Sequence, residues 1–126
     1  MDRTFVLIGS IVMFIAVGAG AFGAHGLSGY FSSYPDLRPT FETAVQYQMV
    51  HGIAIFLAAW VATRYDPSFA SWAGYLFLLG IVLFSGSLYL LVLTRITWFG
   101  AITPLGGVAF LAGWLLLALA AWRAQM

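Results

Sequence analysis

The chain of 126 residues is 63% hydrophobic and 7% charged, with a formal net charge of +1. A soluble domain carries roughly a quarter charged residues, so 5 basic and 4 acidic side chains cannot cover so apolar a body in water. The near-zero charge also excludes an electrostatic nucleic-acid surface. The absence of cysteine excludes disulfides, thiolate metal sites, thiol catalysis and iron–sulfur clusters.

A bilayer core of ~30 Å needs about 20 apolar residues of helix, and the chain supplies four such runs. The first extends from Thr4 to about Gly26. Arg3 followed by an apolar run with Ala19, Ala21 and Ala24 loosely matches a signal peptide, but the run is longer than a usual signal core and reads as a span. A loop from about Leu27 to Arg38 follows, with Ser28, Gly29, Ser32, Ser33 and Pro35 as turn formers. Its Tyr30, Phe31 and Tyr34 suit a segment lying on the membrane surface.

The second span runs from about Thr40 to Thr63 and opens polar. Thr43, Tyr47 and His51 form a row at i, i+4, i+8, with Glu42 and Gln46 in the adjoining row. The polar face continues for ~16 Å of helical rise. Polar groups left facing lipid have no partners, so the face is expected to point into the bundle.

The third span covers about Ser71 to Leu93 and offers Ser85, Ser87 and Tyr89. The fourth covers about Trp98 to Trp122. There Pro104 removes an amide donor, with Thr103 before it and Gly106 and Gly107 after it. Either the helix starts nearer Pro104, leaving Trp98 to Ala101 as a re-entrant turn, or it is kinked there; a kink is the plain reading, and a discontinuous helix lining a site the sharper one.

All five Arg (Arg3, Arg38, Arg64, Arg95 and Arg123) fall at or beyond the ends of these runs, as the cost of Arg at mid-membrane requires. Trp60, Trp72, Trp98 and Trp122 also fall near the ends, where indole rings prefer the headgroup zone. The expected fold is therefore all-α, an integral membrane four-helix bundle with short loops and one transmembrane domain over residues 1–126. Arg3, Arg64 and Arg123 on the terminal side outnumber Arg38 and Arg95 opposite, which favours cytoplasmic termini under the positive-inside rule.

Small residues one turn apart let membrane helices approach closely. Ala16, Gly20 and Ala24 with the parallel row Ala19 and Gly23 in the first span, Ala54, Ala58 and Ala62 in the second, Gly80, Ser85, Gly86 and Ser87 in the third, and Gly106, Gly107, Ala109 and Gly113 in the fourth read as packing surfaces. The polar residues His25, Glu42, Gln46, Tyr47, His51, Ser85, Ser87 and Thr103 form the candidate intramembrane site, with a helix break at Pro104, Gly106 and Gly107. As a hydrogen-bond network they would fix helix register; as a site they would hold an ion, a proton or a small ligand. A haem needs its two His at matched depth, and His25 and His51 lie at different depths. No metal site, nucleophile elbow or nucleotide loop is expected, so neither a cofactor nor an enzymatic activity is assigned.

Four segments occur in order along the chain: Gly20–Leu27 (GAFGAHGL), Tyr47–His51 (YQMVH), Phe84–Tyr89 (FSGSLY) and Thr103–Trp114 (TPLGGVAFLAGW). Together they resemble the small bacterial membrane proteins called domain of unknown function 423, over essentially the whole chain. The resemblance implies a four-helix protein of the bacterial inner membrane with no established activity. The expected role is a non-enzymatic structural or accessory component whose partners are the lipid bilayer and further copies of the chain or a larger membrane complex. Two alternatives are a small ion, proton or solute transporter or channel using His25, Glu42 and His51, and a quinone- or lipid-binding protein using His51 and Tyr47.

Overall fold

A computed structural model describes residues 2–123, and these residues are helical throughout apart from short turns. Helix α1 is Arg3–His25, α2 Ser28–Ser33, α3 Leu37–Arg64, α4 Pro67–Gly80, α5 Gly86–Thr94 and α6 Thr103–Arg123. A π turn, Ile81–Ser85, joins α4 to α5, and a 3₁₀ turn, Thr97–Ala101, precedes α6. Among the described residues, four helical stretches are long and apolar enough to cross a membrane: Arg3–His25, Leu37–Arg64, Pro67–Thr94 and Thr97–Arg123.

Local chemistry fixes the helix ends. The Asp2 carboxylate accepts from the Thr4 amide at 2.9 Å and starts α1. Asp66 caps α4 by accepting from Ser68 and Phe69 at 2.9 and 3.2 Å, with Pro67 in the first turn, where no amide donor is needed. The Arg123 guanidinium lies 3.6 Å from the Asp66 carboxylate and over the Phe69 ring, tying the end of the fourth span to the start of the third. Arg95 ends α5 in the left-handed conformation, φ 60°, and its side chain donates to the Tyr34 hydroxyl.

The spans pack as sequential neighbours, α1 on α3, α3 on α4 and α4 on α6. α1 and α6 make no packed interface with each other, which leaves each with a broad apolar outer face. The loop expected from Leu27 to Arg38 contains the short helix α2, whose Phe31 is buried against Phe41. The Tyr30 hydroxyl donates to the Val92 carbonyl at 2.5 Å and pins α2 over the end of the third span.

Aromatic rings seated on glycines make the interhelical contacts. Phe56 lies on Gly9, Phe41 on Gly23, Phe5 on Gly74, Phe110 on Gly80 and Phe77 on Gly113, each at a distance that a methyl group would invade. The closest approach of a glycine to another backbone joins the third and fourth spans, where a Cβ on Gly106 would collide with the backbone of Phe84. Phe84 lies in the π turn, whose widened backbone is marked by the Gly86 amide donating to the carbonyl of Ile81, five residues back. Gly107, one residue on, faces open space.

Gly106→Ala is therefore expected to destabilise the protein by about 1–3 kcal/mol through overpacking, while Gly107→Ala is expected to be near neutral. Thermal unfolding of the two variants in one mild detergent checks the contrast.

Candidate functional site

The structure does not gather the eight polar residues into one site. His25 ends α1 on its exposed side, and Glu42 and Gln46 are exposed on the outer face of α3. Tyr47 is 40% exposed. The expectation that this face points inward is thus corrected for Glu42, Gln46 and most of Tyr47. The physical reason is rotation: adjacent helical residues differ by about 100°, and the glutamine directed into the core is Gln48. His25, Asp36 and Glu42 do not form a metal-binding cluster, and no group of three or more His, Asp or Glu placed to hold a metal ion occurs among the described residues.

Gln48 is 4% exposed and joins its own span to two others. Its amide Nε2 donates to the Val12 carbonyl of α1 at 3.0 Å. Its Oε1 accepts from the Tyr89 hydroxyl of α5 at 2.6 Å. Ser85, fully buried, donates to the Ala44 carbonyl of α3 at 2.7 Å. Ser87 lies 2.7 Å from the Thr103 hydroxyl, joining α5 to the first residue of α6.

His51 occupies the middle of the 28-residue α3 and is 4% exposed. Its ring stacks on Phe110 with centroids 3.5 Å apart and an interplanar angle of 9°. The Trp114 indole donates to Nε2 at 3.0 Å, and Nδ1 lies 2.8 Å from the Tyr47 carbonyl. An indole N–H can only donate and a carbonyl can only accept. These partners therefore assign a neutral ring with its proton on Nδ1, and both nitrogens are occupied.

Beside His51, a cleft of about 460 Å³ opens between α3 and α6. Phe84, Phe110 and Trp114 form its walls, and the Tyr47 ring stands at its edge, 4.5 Å from that of Phe84. Pro104 lines the cleft from the first turn of α6, where its missing amide costs no helical hydrogen bond. The structure thus contains no mid-helix kink at Pro104: Thr97–Ala101 form a 3₁₀ turn, and the α-helix begins at Thr103. Gly106 is buried at the helix crossing, and Gly107 lines the cleft.

A family model described as "Protein of unknown function (DUF423)" matches residues 19–107. The chain belongs to the DUF423 family. It is 46% identical over 121 residues to a UPF0382 membrane protein of Bacillus subtilis, covering 94% of this chain and 96% of that protein. A UPF0382 membrane protein of Staphylococcus haemolyticus is 43% identical over 121 residues, covering 96% of this chain and 97% of the relative. No solved structure matches the DUF423 chain at a significant level. These relatives and the four apolar helices place the protein in a membrane.

Sequence reasoning passed over Gln48 and Trp114. Trp114 carried a usable signal: the other four Trp lie near span ends, whereas Trp114 is mid-helix and its indole needs an acceptor away from the headgroups. The acceptor it finds is His51.

His51→Phe retains an aromatic stack on Phe110 but removes the acceptor of the Trp114 indole. The expected result is a loss of about 1–3 kcal/mol, with a shift of the Trp114 indole N–H resonance in a proton–nitrogen NMR spectrum. In a Gln48→Leu and Tyr89→Phe double-mutant cycle, unfolding measurements are expected to give a coupling of roughly 0.6 kcal/mol, the scale of interhelical hydrogen bonds in membranes.

Proposed function

We propose that this DUF423 protein is a non-enzymatic component of the bacterial inner membrane, with cytoplasmic termini, that works through its lateral faces. One observation carries the reading: the buried polar side chains Gln48, His51, Ser85 and Ser87 are all hydrogen-bonded within the bundle. Groups engaged in this way hold helices in register, and among the described residues no buried side-chain nitrogen or oxygen is left without a hydrogen-bond partner. The outer faces, by contrast, are extensive and apolar. Phe14 on α1 is 81% exposed and Leu111 on α6 is 72% exposed. Such faces suit contact with lipid tails and leave lateral surface against which further copies or a larger membrane complex can pack where the fit is close.

The cleft beside His51 supports a second reading, a binding site for a flat apolar ligand such as a quinone. Its walls are aromatic, and the Tyr47 hydroxyl is a hydrogen-bonding group within reach of an occupant. The ion-pathway reading has less support, because His25 and Glu42 lie on the outside and His51 engages both ring nitrogens inside.

A photo-crosslinking residue introduced at Phe14 or Leu111 in living cells is expected to capture the same chain or another membrane protein. A monomer in mild detergent, with no adduct from either face, would sink the proposal. Proton or common-ion flux through reconstituted vesicles would instead establish the pathway reading. Saturable quenching of Trp114 by a short-chain quinone, lost in Tyr47→Ala, would establish the second.

A further inference from the structure

A second opening of about 460 Å³ lies between α1 and α3 on the side of the membrane opposite the termini. Gly20, Gly23 and Ala24 leave room along α1, and Val45 and Met49 form the apolar wall of α3. Arg38 and Glu42 stand at its mouth, one helical turn apart, with Gln46 a turn deeper. Arg38 and Glu42 do not pair with each other. Among the described residues the ion pair formed is that of Arg123 with Asp66, and the Arg38 guanidinium instead lies over the Phe31 ring, 5.0 Å from its centroid.

Depth gives this arrangement meaning. The 28 residues of α3 extend for ~42 Å at helical rise, ~6 Å beyond a ~30 Å hydrocarbon core at each end. A centred α3 therefore places Arg38 among the phosphates and Glu42 at the hydrocarbon boundary, with Gln46 ~6 Å below Glu42. An exposed carboxylate and an exposed amide at these depths need partners that lipid tails do not supply. A second copy related by a two-fold axis would meet this face at equal depth and bring Glu42 towards Glu42, like charge against like.

We propose that this groove binds a single-chain phospholipid with a free glycerol hydroxyl, that is, a lysophospholipid. Its phosphate pairs with Arg38, and the hydroxyl just below the phosphate donates to Glu42. The Gln46 amide donates to the ester carbonyl, and one acyl chain runs down the groove past Gly20. The volume falls toward the lower part of the ~300–1,000 Å³ range of small-molecule sites, which suits one chain. The site is separate from the cleft at His51 and does not depend on the lateral-contact role proposed above.

Native mass spectrometry of the full chain in mild detergent provides the test, with lysophosphatidylethanolamine, diacyl phosphatidylethanolamine, an alkyl phosphate and a monoacylglycerol as probes. The lysophospholipid is expected to bind about tenfold or more tightly than each of the others, a tenfold step being 1.4 kcal/mol. Glu42→Leu should reduce its affinity to that of the alkyl phosphate, and Arg38→Gln to that of the monoacylglycerol. Gly20→Leu should abolish binding by filling the groove; a Cβ at Gly20 meets Val45 at an ordinary 3.5 Å, so the fold has room for its first atom. Equal retention of all four probes by the wild-type chain would overturn the proposal whatever the variants do. So would unchanged binding in Glu42→Leu, whose exposed position removes no core contact, or a crosslink from position 46 to a second protein chain.

Discussion

The hydrocarbon core offers no water, so a polar side chain within it must find its hydrogen bond on a neighbouring helix or reach the membrane edge. α3 carries most of the polar side chains, and satisfying them ties it to each of the other spans. Gln48 reaches the Val12 carbonyl of α1, and Tyr89 of α5 reaches Gln48. Ser85 of the π turn donates to Ala44, and Trp114 of α6 donates to His51. Each bond is modest when measured in membranes. Their combined effect is positional: a slip of α3 by one residue would unmake all four together.

Apolar packing follows the same frame. Without a hydrophobic drive between helices, association depends on close fit, and here the fit is between aromatic rings and glycines. The π turn belongs to this fit. It brings the backbone of Phe84 against Gly106 and directs Ser85 to α3 while Ser87 reaches Thr103. A regular helix through Ile81–Ser85 would hold one residue fewer in that turn and rotate everything after it.

What remains outside this network is concentrated at the surface. The buried polar groups hold the bundle in register, so the openings available to other molecules lie where the packing stops. Two such openings are the aromatic cleft beside His51 and the groove whose mouth carries Arg38 and Glu42. The apolar faces of α1 and α6 are also free, with residues such as Phe14 and Leu111 exposed.

Composition and the placement of Arg and Trp were sufficient to number the spans and locate their ends, because burying charge in lipid carries a penalty large enough to be visible residue by residue. The same pattern marked His51, Ser85, Ser87 and Thr103 as intramembrane polar groups. It could not choose between Gln46 and Gln48, since two positions on a helix differ by about 200° of rotation and only the neighbouring helices decide which one faces inward. Pro104 is the same kind of case: local chemistry allows it as a kink or a helix start, and the Gly106–Phe84 contact belongs to the start that the structure adopts. The π turn left no local signature, because its geometry is set by contacts that Phe84 and Ser85 make with residues distant in sequence.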